Sequence, residues 1–377
     1  MMNDAVEIKE HARKFAEQVI LPDVTGWERA RRFPREAFAA AAQAGLTALE
    51  TPKSHGGLGH SFSLKAEVAD ILGAADYGMA MAILNTQNIG AKLARDSDPE
   101  IAARYIPPII SGERLGCTAL TEPLAGSDFA AISTLATPDG DGWVLNGEKA
   151  WIINAADADI IVLYAQTEAG SGGKGIAAFL IDGQREGFER VPAFDVAGEY
   201  TIGVGGFRLN GYRANANELL QPAGKAFKAA LHSINGARIY VAAICCGMVA
   251  ACLETVANYG TSRTTFGQTL VSHQGWRWSL AEAEVDLAAA RLMVRTASAK
   301  IDAGESAMQA AAQTKIFATR MATRHIPALA QLMGAEGLRD NYCFGRHQIG
   351  ARMASFTDGS TEMLLDRLSL GYAKPTT

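Results

Sequence analysis

The chain has 377 residues, longer than one comfortable hydrophobic core, so two or three domains are expected. Its 35 basic and 40 acidic residues leave a net charge of −5, which gives no sign of nucleic-acid binding and admits a small anionic ligand. Five cysteines in no CxxC spacing argue against a disulfide framework or a metal site and for a reducing, cytoplasmic setting.

In chain order, the first seven residues lack the basic and apolar blocks of a secretory signal. Val6, His11, Phe15 and Val19 predict a first helix that Pro22 should end. Pro34 stands near the start of the next helix, which passes Phe38 and Ala44 and stops at Gly45. A glycine-rich link at 56–59 leads into alanine- and leucine-rich helices up to Gly112. From Gly116 to about Leu220 the texture changes to short β-branched runs, at 143–145, 159–163 and 176–181, with 137–142 reading as a hairpin loop. Helix returns at about 227–260, 274–303 and 306–335, and again after Gly359. The expected fold is α+β: an N-terminal helical domain (1–113), a middle β-domain (114–222) and a C-terminal bundle of about four helices (223–377). The longest apolar run, 239–253, is too short for a membrane span and ends at Glu254, so a soluble protein with no membrane partner is expected.

Several motifs fail on context. Residues 170–175 match GxGxxG literally, but strand-like runs flank them, whereas a dinucleotide fingerprint must open a helix. There is no HExxH, GxSxG or Walker A sequence, and the seven histidines show no ligand spacing. No metal is expected, and hydrolase and metalloenzyme readings lose ground.

Two stretches carry chemistry. Asp358, followed by Gly359, Ser360 and Thr361, sits on a break between two helical patterns, where a carboxylate can point into a cavity. A plain Asp-Gly turn would read the same way. Upstream, Pro123, Gly126 and Ser127 make a loop exposing backbone N–H groups and hydroxyls, suited to phosphates or a flavin's polar edge, and Trp151 offers an aromatic plane. Composition alone fits an ordinary polar loop and a core tryptophan equally.

Taken together, these stretches resemble the acyl-CoA dehydrogenase family. Its Thr-Glu-Pro-x-Ala-Gly-Ser-Asp signature stands at 121–128 without a gap. Further matches follow in order: Leu-Asn-Gly-x-Lys-x-Trp-Ile at 145–152, then Tyr259, Arg263, Phe266 and Gly267 with Gln274, then Gln331 and Gly334. The resemblance covers nearly the whole chain. It implies FAD as cofactor, with Leu120, Thr121, Gly126, Ser127, Trp151 and Ile153 along the flavin. It further implies that Arg263, Phe266, Gln274, Gln331, Gly334 and Ala335 reach the FAD of a neighbouring subunit, and that Ser360 and Glu362 also meet the cofactor. Ser127, Asn235, Arg238 and Gly359 fall where the family holds acyl-CoA. The implied reaction is α,β-dehydrogenation of an acyl-CoA to the 2-enoyl-CoA, Asp358 removing the α-proton and flavin N5 taking the β-hydride, with Arg238 beside the base. In the family a backbone N–H beside the base and a ribityl hydroxyl stabilise the enolate oxygen. A homotetramer is implied, with electron-transferring flavoprotein as acceptor.

Three departures bear on the substrate. Asp358 stands where most of the family has Glu and is shorter by about 1.5 Å of reach; a misplacement of about 1 Å can cost roughly a hundredfold in rate. The alternative base position, one residue before Arg238, is Ala237. Ile153 replaces the usual flavin-bonding Thr or Ser, and Ile349-Gly350 replaces an Arg-Asp pair before the base. These departures favour a short, branched or cyclic acyl group. They keep open a non-CoA oxidase or monooxygenase of nitroalkane-oxidase type, or a non-catalytic FAD- or acyl-CoA-binding subunit.

Overall fold

The computed structural model describes residues 2–372. Helices α1 (Met2–Phe15) and α2 (Leu21–Ala30) are joined through a π turn, Ala16–Ile20, closed by the Leu21 N–H donating to the Ala16 carbonyl. Pro22 therefore does not end the first helix. It falls in the first turn of α2, where a missing N–H costs little. The chain breaks instead at Arg31, in the left-handed region. Helices α3 (Arg35–Gln43), α4 (Phe62–Ala75), α5 (Tyr77–Asp96) and α6 (Pro99–Ile110) follow. Ser61 and Asp76 cap α4 and α5 by accepting from the Leu64 and Met79 N–H groups.

Eight strands form one sheet: β1 (Gly116–Ala119), β2 (Leu135–Asp139), β3 (Gly142–Ile152), β4 (Ile160–Gln166), β5 (Ile176–Asp182), β6 (Phe188–Val191), β7 (Gly205–Ala214) and β8 (Leu219–Gln221). The order is β6-β7-β3-β2-β4-β5-β8, with β1 parallel to β4. The hairpin predicted at 137–142 is tighter than expected: β2 and β3 pair through Asp139 and Gly142, leaving only Gly140 and Asp141 in the turn. Residues 170–175 form the β4–β5 connection, so the literal glycine motif opens no helix.

Among the described residues the C-terminal part has five helices where about four were expected: α7 (Ala226–Ser262), α8 (Gln274–Asp302), α9 (Met308–Gln331), α10 (Phe344–Phe356) and α11 (Thr361–Ser369). Two short strands, β9 (Thr264–Thr265) and β10 (Gln268–Thr269), make a hairpin before α8. Helix α10 escaped sequence reading because its apolar residues are scattered and two glycines interrupt it. Helix α9 stops at Gln331 and gives way to a 3-10 turn at Gly334–Leu338.

By length and composition α7 could cross a bilayer, a longer apolar element than the 239–253 run suggested, yet most of it is buried inside the protein. It packs with the N-terminal helices in a single core that joins Phe38 and Leu72 to Ile244, Ala290 and Met321. Cores on the two faces of the sheet hold Ile106, Val162 and Leu180 on one side and Ile161, Phe179 and Phe207 on the other. The break between α10 and α11 is thus pinned against α7, α9 and α5 at once.

Candidate active site

In that break Asp358 adopts φ 55° and Gly359 φ 101°. Asp is one of the few side chains that enter the left-handed region at modest cost. The φ of Gly359 is one that glycine adopts and other residues rarely do, whereas a Cβ there would make only an ordinary contact with the Arg238 guanidinium at 3.4 Å. Arg238 Nε donates to the Asp358 backbone carbonyl at 3.0 Å, and Nη1 to Asn235 Oδ1 at 3.0 Å. Ser360 caps α11 by accepting from the Met363 N–H at 3.3 Å, with Glu362 in the exposed first turn. Asn235, Arg238, Asp358 and Gly359 therefore lie together in the fold. The carboxylate oxygen Oδ2 of Asp358 is enclosed and has no hydrogen-bond partner. Burial raises the Asp358 pKa, opposed by the charges of Lys315 and Arg238.

Lys315 escaped the sequence reading. It lies on α9, wholly buried, and donates to the Gly359 carbonyl at 2.6 Å and the Ser355 carbonyl at 3.4 Å. Burial pushes its ammonium down to about 8, against the pull of Asp358. Its signal was available: Lys315 shares a helical face with Ala311, Ala318 and Ala322, where a charge is out of place. A second support comes from α5, where the Tyr77 hydroxyl lies 3.2 Å from Thr357 Oγ1. Gly350 lets α10 approach closely: a Cβ there would come within 2.8 Å of both Tyr77 and the Glu199 carboxylate. The loop lacking an Arg-Asp pair before it is held by Tyr77, Lys315 and Arg238 instead.

The upstream loop is built on a buried ion pair. Glu122 accepts from the Ser133 and Thr134 N–H groups at 2.6 and 2.9 Å and from Lys149 Nζ at 2.9 Å. Burial opposes its charge, but Lys149 and these donors prevail and hold the carboxyl at about 2. Lys149 also donates to the Leu120 carbonyl at 2.9 Å, and the Ala150 N–H to the Thr121 carbonyl at 3.2 Å. Leu120 and Thr121 are thereby fixed beside the end of β3, while Leu124, Gly126 and Ser127 remain exposed. Trp151, at φ 59°, is 60% exposed with its ring 4.6 Å from that of Phe194, so it is no core tryptophan. Ile153 packs partly buried against the helical core. An open aromatic plane beside exposed amides and hydroxyls fits an isoalloxazine ring, which needs a stacking surface and donors along its polar edge.

Arg263, Phe266, Gln274, Gln331, Gly334 and Ala335 are all exposed. Phe266, on the β9–β10 turn, is 98% exposed. The Trp276 indole donates to the Leu332 carbonyl at 3.2 Å, which brings the start of α8 beside the end of α9. Among the described residues no hydrogen bond or ion pair joins this surface to the base loop, so within one chain it stands apart from Asp358.

Sequence comparisons agree with this architecture. Family models described as the acyl-CoA dehydrogenase N-terminal, middle and C-terminal domains match residues 2–113, 117–211 and 224–371. The chain is 30% identical over 358 residues to a 3-(aryl)acrylate reductase of Clostridium sporogenes, covering 94% of this chain and 95% of that one. It is 30% identical over 353 residues to the mitochondrial short-chain specific acyl-CoA dehydrogenase of Homo sapiens, covering 93% and 85%. The butyryl-CoA dehydrogenase of Megasphaera elsdenii superposes with a TM-score of 0.94 at 27% identity, over 98% of each chain. With its three successive domains matched and its whole length shared with such relatives, the chain belongs to the acyl-CoA dehydrogenase family.

Proposed function

We propose that this FAD-dependent oxidoreductase removes the α- and β-hydrogens of a short, branched or cyclic acyl-CoA, with Asp358 as the base. The observation that carries the reading is the enclosed, unpartnered Oδ2 of Asp358 on a loop tied down by Arg238 and Lys315. FAD supplies the hydride acceptor, and the Leu120–Ser127 loop, Trp151 and Ile153 line it. Asp358 takes the α-proton; its raised pKa makes it a stronger base than an exposed carboxylate. Arg238 and Asn235 hold the loop, and together with Ser127 and Gly359 they meet the thioester. Anaerobic titration of the purified enzyme with a panel of acyl-CoAs tests this: the flavin absorbance should bleach, and bleaching that survives Asp358→Ala sinks the assignment of the base.

The assembly we infer is a homotetramer in which Arg263, Phe266 and Gln274, with Gln331, Gly334 and Ala335, reach a neighbour's FAD. Phe266 is almost fully exposed, and Trp278, Val285 and Leu292 repeat every seven residues along α8, an exposed apolar stripe suited to a helix of another subunit. Sedimentation of the purified protein as a monomer would exclude it. Electron-transferring flavoprotein is the proposed acceptor. Ile153, which brings no hydroxyl to the flavin, favours a second reading as an oxygen-using oxidase; that reading fails if the reduced enzyme is inert to oxygen.

A further inference from the structure

Two free thiols meet at the opposite end of α10 from the base loop. Cys252 lies on α7, fully buried in the helical core, and Cys343 stands at the start of α10, half-buried and packed against that core. Their sulfurs are 3.7 Å apart, across 91 residues of chain, whereas bonded sulfurs stand about 2.0 Å apart. The chain around Cys343 leads to the surface: Asn341 and Gly345 are exposed and Tyr342 is half-buried. A small neutral oxidant can therefore approach from one side, while Cys252 waits behind.

His347 follows one helical turn later, its backbone N–H donating to the Cys343 carbonyl at 2.9 Å. The side chain is fully buried, and Nε2 lies 3.2 Å from the Ala74 carbonyl. A carbonyl only accepts, so Nε2 carries the ring proton and Nδ1 is left with a lone pair. That Nδ1 is enclosed and has no hydrogen-bond partner. A free acceptor one turn from a half-buried thiol is a base for it. The two thiols are also set apart in acidity. The hydrogen bond from Cys252 draws the Cys343 thiol down against burial, with His347 adding to the effect, whereas burial pushes that of Cys252 up. Cys343 is thus the nucleophile of the pair, and Cys252 keeps its proton. The other thiols, Cys117, Cys245 and Cys246, are wholly buried, and burial pushes each of them up.

We propose that Cys343 and Cys252 are a peroxide-reactive pair, separate from the acyl-CoA chemistry, that closes to a disulfide joining α7 to α10. His347 Nδ1 takes the Cys343 proton. The thiolate attacks one oxygen of hydrogen peroxide: the S–O bond forms, the O–O bond breaks, and the departing hydroxide takes the proton from His347 and leaves as water. Cys252 then attacks the sulfenic sulfur of Cys343. The S–S bond forms, the S–O bond breaks, and the Cys252 proton leaves with the hydroxide as a second water. The two thiols lose two electrons and the peroxide gains them; a small-molecule thiol reverses the bond. A disulfide of this kind, between thiols that are free at rest, is the transient type suited to a reducing compartment. It fastens α7, which carries Asn235 and Arg238, to α10, which ends at the base loop.

The test treats fully reduced, FAD-loaded enzyme with near-stoichiometric hydrogen peroxide, then unfolds and alkylates it. Two fewer of the five cysteines should take the alkylating group, and peptide mapping should find Cys252 linked to Cys343. Dithiothreitol should restore both. Their loss should run about tenfold or more ahead of any loss at Cys117, Cys245 and Cys246. Cys252→Ser should stop at a sulfenic acid on Cys343 that dimedone traps, and Cys343→Ser should leave Cys252 unoxidised. His347→Gln, whose amide can keep the bond to the Ala74 carbonyl, should slow the oxidation about tenfold or more. The proposal is overturned if the wild type forms no Cys252–Cys343 link, if Cys343 runs on to the sulfinic acid instead, or if the other three thiols oxidise as fast. Oxidation of His347→Gln at the wild-type rate removes the base from it. The wild-type mapping needs no variant, so misfolding of any one leaves the test standing.

Discussion

Lys149 and Lys315 are both buried lysines that fasten a loop of the proposed site, yet they are partnered differently. Lys149 faces the Glu122 carboxylate at 2.9 Å within a net of backbone donors, so the loop carrying Leu120 to Ser127 is held by a sealed ion pair. Lys315 donates only to carbonyl oxygens, and the charge that acts on it most strongly is Asp358, the proposed base. The first arrangement fixes geometry away from the proposed base, although burial pushes the Lys149 ammonium down to about 8 as it does that of Lys315. The second ties loop geometry to the charge of the group that is to take the proton, so position and basicity are set together.

The comparison breaks outright if Asp358 is not the base. Asp358→Ala should lower the rate of flavin reduction by about 10²- to 10⁴-fold, read by stopped-flow absorbance, with FAD content unchanged. Asp358→Glu tests the fit of the shorter side chain: the left-handed backbone and the clamp from Lys315 are built around Asp, and the longer acid should lose about a hundredfold. At the other loop, Lys149→Met should leave Glu122 buried and unpaired and destabilise the fold by about 3–5 kcal/mol in urea unfolding. A loss of activity without loss of stability there would contradict the purely structural role.

Lys315→Met sharpens the contrast further. Asp358 acts only as the carboxylate, so activity should fall as pH drops through its raised pKa. Lys315, pushed down to about 8, loses its proton above that value and with it the charge that favours the carboxylate. The wild-type kcat profile should therefore be bell-shaped. The variant should lower kcat about tenfold or more with little change in KM, abolish the alkaline limb and move the acid limb upward; an unchanged profile assigns Lys315 to structure alone. The smallest effect is expected for Tyr77→Phe, which removes one hydrogen bond to Thr357 and should cost about 0.5–1.5 kcal/mol of stability.

Much of the site was legible as sequence because its motifs are local. The 121–128 run and the stretch around Asp358 each place their residues within a few positions of one another, and turn chemistry fixes their backbone. Glu122 to Lys149 and Lys315 to Gly359 are contacts across 27 and 44 residues, which no local pattern announces. The same holds for Cys252 and Cys343, whose sulfurs meet at 3.7 Å across 91 residues. Pro22 misled for the opposite reason: the local rule was sound, but a π turn realigned the helix so that the proline became an acceptable first-turn residue.

By itself the sequence determined the family, the α–β–α order, the cofactor class and the identity of the acid at position 358, because each is written in contiguous residue types. Only the tertiary structure decided what surrounds that acid. Whether a carboxylate is enclosed and which lysine clamps its loop depend on how α5, α7 and α9 pack. Packing of that kind is a property of distant residues meeting, and periodicity along the chain carries no record of it.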